Sequence, residues 1–119
     1  MNTTTMAVQG IFASSVVRDL DAALAWYEKL LGRPADDQPI PGMAQWSNMG
    51  AAGFQLWADE TRAGKSITTI VVLDLTAERT RLASHEISLV NEAQGPFGAV
   101  AQVFDPEGNR INLAQPPQG

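Results

Sequence analysis

A chain of 119 residues, 45% of them hydrophobic, can bury one core of modest size, and no apolar run approaches the roughly 20 residues of a membrane-spanning helix. Thirteen acidic residues against eight basic ones leave a formal charge of −5, which argues against a nucleic-acid partner because phosphate backbones demand a basic footprint. Without a cysteine there are no disulfides, thiolate metal sites or cysteine nucleophiles, and without a charged-then-apolar leader pattern a cytoplasmic location is expected.

In chain order, a strand is expected over 8–17, ending at Asp19, whose carboxylate can cap the exposed N–H groups of a helix. Over 20–31 the residues Leu20, Ala23, Leu24, Tyr27, Leu30 and Leu31 follow the three-and-four spacing of a helix with one buried face. Gly32 offers the left-handed residue that closes it, and Pro34 prevents its continuation. The stretch 35–42, with Pro39 and Pro41, is a loop or a frayed edge strand. Strands over 43–49 and 53–58 are joined by the small-residue turn Gly50-Ala51-Ala52. After a loop come a strand over 66–73, a helix over 76–84, and strands near 87–91, 99–104 and 110–114. Asp105-Pro106-Glu107-Gly108-Asn109 is the turn between the last two.

The phrase Val17-Arg18-Asp19-Leu20 recurs as Val72-Leu73-Asp74-Leu75, so a strand-to-helix entry is written twice. The expected architecture is α+β: one domain over 1–119 built from two βαβββ units, the first about 7–60 and the second about 66–115.

Two phrases carry a resemblance to a known family. The run from Val17 to Gly32, containing Asp19-Leu20-Asp21-Ala22-Ala23-Leu24-Ala25-Trp26-Tyr27, and the run Phe104-Asp105-Pro106-Glu107-Gly108-Asn109-Arg110-Ile111-Asn112-Leu113 resemble the vicinal oxygen chelate superfamily. That superfamily includes glyoxalase I, extradiol dioxygenases, fosfomycin resistance enzymes and bleomycin-binding resistance proteins. The resemblance implies a glyoxalase-like fold in which each unit curls its sheet into half a cup, with helices outside. It also implies where metal ligands would stand: a His on the first strand of each unit and a carboxylate or Gln on each closing strand. Here those positions hold Phe12, Ile67, Gln55 and Asn112. A hydrocarbon and a phenyl ring cannot ligate, and two neutral amides bring no anion to offset the ion's dehydration, so no metal and no cofactor are expected. The lone His85 is expected on the surface.

With Gln55 taken as inward by that resemblance, strand alternation brings Gly53 and Trp57 to the same side and sends Phe54 and Leu56 towards the helices. Trp57 is then an aromatic wall for a planar ligand or a residue packed only on protein. The face of Trp46 depends on the register of the Gly50-Ala51-Ala52 turn that follows it, and Arg110 is either a carboxylate-binding group at the rim or an exposed strand-end charge. The expected function is metal-free binding of an aromatic or apolar small molecule by a homodimer, through Phe12, Gln55, Trp57, Ile67, Asn112, Trp46 and Arg110. The alternative is a metal-independent isomerase or lyase acting on a small carbonyl compound, although the sequence offers no catalytic residue for it.

Overall fold

A computed structural model describes residues 6–117. The first half runs β1 (Phe12–Val17), α1 (Leu20–Leu31), β2 (Met43–Met49) and β3 (Ala52–Ala58); the second runs β4 (Ile67–Val71), α2 (Leu75–Ala83), β5 (Val90–Gly95), β6 (Gly98–Phe104) and β7 (Arg110–Gln115). Asp19 and Asp74 cap the two helices as expected, their carboxylates accepting from the Ala22 and Ala77 backbone N–H groups at 3.1 Å. Gly32 closes α1 with φ 85°, and its N–H reaches the Glu28 carbonyl.

The strands form two sheets, ordered β1-β3-β2 and β4-β7-β6-β5, with β1 and β4 each parallel to its neighbour and the remaining pairs antiparallel. The second half is thus βαβββ, whereas the first is one regular strand short. Between α1 and β2, the proline-punctuated stretch touches β2 only through an isolated bridge from Asp37 to Gln45. Both sheets lay one face on the helices, and one hydrophobic cluster draws from both halves, including Val17, Tyr27, Trp46, Phe54, Leu56, Leu82, Ile111 and Leu113. From α2, Arg81 reaches back to donate to the Lys29 and Leu30 carbonyls at the end of α1.

Between the halves lies a buried polar clasp. Asp105, only 4% exposed, accepts from the Tyr27 hydroxyl at 2.6 Å, from the Asn109 side-chain amide at 2.7 Å, and from the backbone N–H groups of Glu107 and Asn109 at 2.9 Å. The same Asn109 amide donates to the Val16 carbonyl at 2.8 Å, and its oxygen accepts from Ser66, just before β4. The turn is therefore tied to α1, β1 and the entry of β4 at once.

The other face of both sheets is bare. The slab measures 46 × 41 × 25 Å with a radius of gyration of 15.6 Å, against about 13.5 Å for a compact chain of this length. Apolar side chains stand exposed on the bare side: Phe12 is 42% accessible, Ile67 62%, Val71 67% and Phe104 47%. Among the described residues no helix is long and apolar enough to cross a membrane.

Tyr27 is the chain's only tyrosine. Burial first, and then the hydrogen bond to Asp105, push its hydroxyl far above the ordinary tyrosine range. Folded Tyr27 keeps its proton where the unfolded chain, with a pKa of 10.0, releases one, so stability should be intact below that pH and fall above it. Tyrosinate absorbance should rise only as the protein unfolds. An ordinary titration near pH 10 with unchanged circular dichroism would contradict the buried clasp. Tyr27→Phe should lower stability at neutral pH by about 1–3 kcal/mol, read by denaturant melts, because Asp105 loses one donor.

Candidate functional site

Alternation along β1 and β3 sends Ser15, Val17, Phe54 and Leu56 to the helices, and all four are buried. Phe12, Ser14, Gln55 and Trp57 therefore share the bare face of the first sheet. On the second sheet the same alternation buries Thr68, Ile111 and Leu113 and leaves Ile67, Thr69, Arg110 and Asn112 on the bare face. The strand register places Ser14 opposite Gln55 and Thr69 opposite Asn112, so the two halves repeat one motif.

Side-chain amides run across both faces. In the first sheet the Trp57 indole N–H donates to Gln55 Oε1 at 3.0 Å, and the Gln55 amide donates to Gln45 Oε1 at 2.9 Å. In the second, Asn91 donates to Gln102 at 2.8 Å, Gln102 to Asn112 at 3.2 Å, and Asn112 to the Thr69 hydroxyl at 3.1 Å. Each chain of bonds holds its members in one orientation, and the Trp57 indole is anchored through its nitrogen. Sequence reasoning missed Gln45, Gln102 and Asn91. The signal that could have found the first two is their matched place in the duplicated register, opposite Gln55 and Asn112 respectively.

The residues at the ligand positions do not fit a divalent metal. Gln55 and Asn112 offer only neutral amide oxygens, and Phe12 and Ile67 carry no ligating atom, so the four positions bring neither imidazole nor anion. Among the described residues no three His, Cys, Asp or Glu side chains converge, and His85 is exposed beyond α2.

Trp46 belongs to the other side. A bulge between Trp46 and Met49 sets the register so that Trp46 stands opposite Phe54. It is fully buried, with ring centroids 5.9 Å from Phe54, and its indole N–H donates to the Arg33 carbonyl at 2.9 Å. That placement removes it from the bare face, and so from the binding residues that the sequence predicts. Trp26 is half-buried, edge-on to Tyr27.

Phe12 lies down on the sheet over Gly53. A Cβ at position 53 would stand 2.3 Å from the phenyl ring and 2.8 Å from the Trp46 carbonyl. At the edge where the β2–β3 turn approaches β4, a cleft of about 340 Å³ opens between the halves, lined by Ala13, Leu31, Phe54 and Ile70 of the helix-covered side together with Thr69 and Val71, and by no charged side chain. In the single chain, the expected cup is thus an open, amide-studded floor with apolar patches.

The comparisons with known proteins agree with this geometry. The sequence pattern of the Glyoxalase/Bleomycin resistance protein/Dioxygenase superfamily matches residues 11–113. A glyoxalase/bleomycin resistance protein from Catenulispora acidiphila is similar in structure with a TM-score of 0.83 at 26% identity, over 92% of this chain and 100% of that one. TnmS3, an antibiotic binding protein from Streptomyces sp. CB03234, gives a TM-score of 0.78 at 24% identity over 98% and 100%. The bleomycin-binding protein of Streptomyces verticillus, solved with copper(II)-bleomycin, gives 0.75 at 18% over 95% and 100%. No curated protein matches the sequence. With the family pattern spanning nearly the whole length and the fold agreeing, the chain belongs to the Glyoxalase/Bleomycin resistance protein/Dioxygenase superfamily.

Proposed function

We propose that this protein binds an aromatic or apolar small molecule on the bare strand face, without a metal ion, and that two copies pair these faces to enclose the ligand. The observation that carries the reading is the floor itself. Trp57 is hydrogen-bonded to Gln55, the closing-strand positions where the family's metal ligands would stand carry only neutral amides, and exposed Phe12 and Ile67 supply apolar surface. An indole fixed through its nitrogen keeps its ring free to stack, and such contacts carry much of the energy in aromatic recognition. Family membership and the antibiotic- and bleomycin-binding proteins of like fold support sequestration as the mode of action.

The isomerase or lyase alternative needs an acid or base on the same face. Of the residues in the seven strands only Glu92 and Arg110 are ionisable, and Glu92 is paired with Arg79 of α2. No general base faces the floor among the strand residues, so binding is the reading the geometry favours.

Three measurements check this. Light scattering at micromolar concentration should report about twice the 12.8 kDa chain mass, because exposed apolar side chains on a thin slab favour a symmetric partner; a mass equal to the chain's own would count against pairing. Elemental analysis after dialysis should find no stoichiometric zinc, nickel, iron or manganese, and a near-molar content would remove the metal-free part of the reading. Trp57→Ala should weaken binding of planar aromatic compounds by about 1–3 kcal/mol in fluorescence or calorimetric titrations, while Trp57→Phe should retain most of the affinity. Equal affinities for wild type and Trp57→Ala would return the indole to a packing role.

A further inference from the structure

Five of the six arginines have a carboxylate partner: Arg18 with Glu60, Arg33 with Asp36, Arg62 with Asp59, Arg79 with Glu92 and Arg81 with Glu78. The sixth, Arg110, has none among the described residues. It stands on the bare face at the start of β7, between Ile67 on β4 and Phe104 on β6, its register partners. It is half-buried, and its Nε lies out of solvent with no acceptor. Among the described residues no side-chain carboxylate pairs with this guanidinium, and its face carries no other charged strand residue, whereas Arg33, whose Nε is also buried without an acceptor, keeps its partner Asp36. A buried N–H without an acceptor carries a standing desolvation cost, and apolar neighbours strengthen any charge that arrives to meet it.

The duplication sharpens this. Gly53 faces Phe12 across β1 and β3 as Arg110 faces Ile67 across β4 and β7. One half therefore fills that position with a phenyl ring lying over a glycine, and the other with a cation. The clasp connects Trp57 to Arg110: Trp57 is opposite Val16, the Val16 carbonyl and Ser66 are joined through Asn109, and Ile67, next to Ser66, is opposite Arg110. An indole and a single positive charge are thus linked across neighbouring strands of the floor.

We infer that the ligand is a planar aromatic acid, its rings resting on Trp57 and its carboxylate received by the Arg110 guanidinium. This inference rests on the reading of the bare face as the ligand site. A guanidinium presents a planar fork that matches the two oxygens of a carboxylate, which makes a carboxylate its natural complement. The acidic balance of the remaining chain repels anions at long range, so selection for the acid arises at this one contact.

The test titrates naphthoic acid and its methyl ester into the full-length wild type, Arg110→Leu and Trp57→Ala. Wild type should bind the acid about tenfold or more tightly than the ester, as charge-assisted hydrogen bonds allow. Arg110→Leu should bring the two within about twofold by lowering affinity for the acid alone, and Trp57→Ala should weaken both together. Equal binding of acid and ester by wild type, unchanged in Arg110→Leu, would overturn the carboxylate assignment and leave the face as a ligand site. Failure of wild type to bind either compound would overturn both readings. Should Arg110→Leu not fold, raising the salt concentration on wild type should shrink the advantage of the acid over the ester, and a salt-independent ratio would equally overturn the assignment.

Discussion

The fold hangs on one buried carboxylate. Removing a charge from water costs several kcal/mol unless donors replace the lost hydration, and Asp105 is surrounded by donors: a phenol, a side-chain amide and two backbone N–H groups. Those donors come from α1 and from the turn itself, and the turn in its turn holds the end of β1 and the entry of β4. Satisfying this one group fixes how the two halves sit against each other. Glu107 of the same turn accepts from the Arg18 and Asp19 backbone N–H groups, extending the anchorage to the start of α1. The position of the bare face follows, since the first strands of both halves are pinned through this point.

Much of that was legible in the chain. The repeated Val-x-Asp-Leu phrase located both helix entries because capping is local chemistry, needing only an Asp and the N–H groups three residues on. Strand alternation placed Phe12, Gln55, Trp57, Ile67 and Asn112 together on one face, because a two-residue period leaves little freedom once one position is anchored. What escaped was long-range. The turn around Asp105 reads in sequence as a turn, and nothing nearby reveals that Tyr27, far upstream, will donate into it. Trp46 could not be assigned because a bulge of one or two residues decides its face, and bulges leave only a weak trace in composition. The missing strand of the first half reflects Pro39 and Pro41, whose lack of an N–H was visible while the outcome, a single bridge, was not.

The helix-covered and bare sides also differ in how they are made rigid. The covered side relies on interdigitated apolar groups, with Tyr27 stacked on Phe54 at 5.4 Å and Trp46 edge-on to the same ring. The bare side has no such packing and is stiffened by amides bonded in series across neighbouring strands. A surface ordered in this way can stay shaped while uncovered.

The close approach of Phe12 to Gly53 has a consequence for how such a chain can change over time. A side chain at position 53 would meet the Phe12 ring, which can rotate away, and the Trp46 backbone carbonyl, which cannot, so residue 53 enlarges only if β2 shifts. In the second half the equivalent pair, Ile67 and Arg110, carries two extended side chains without that conflict. The duplicated halves are therefore no longer interchangeable by single steps. Copying the cation into the first half would require the β2 backbone beside position 53 to move, so the asymmetry of the two halves is held by main chain as well as by side chains.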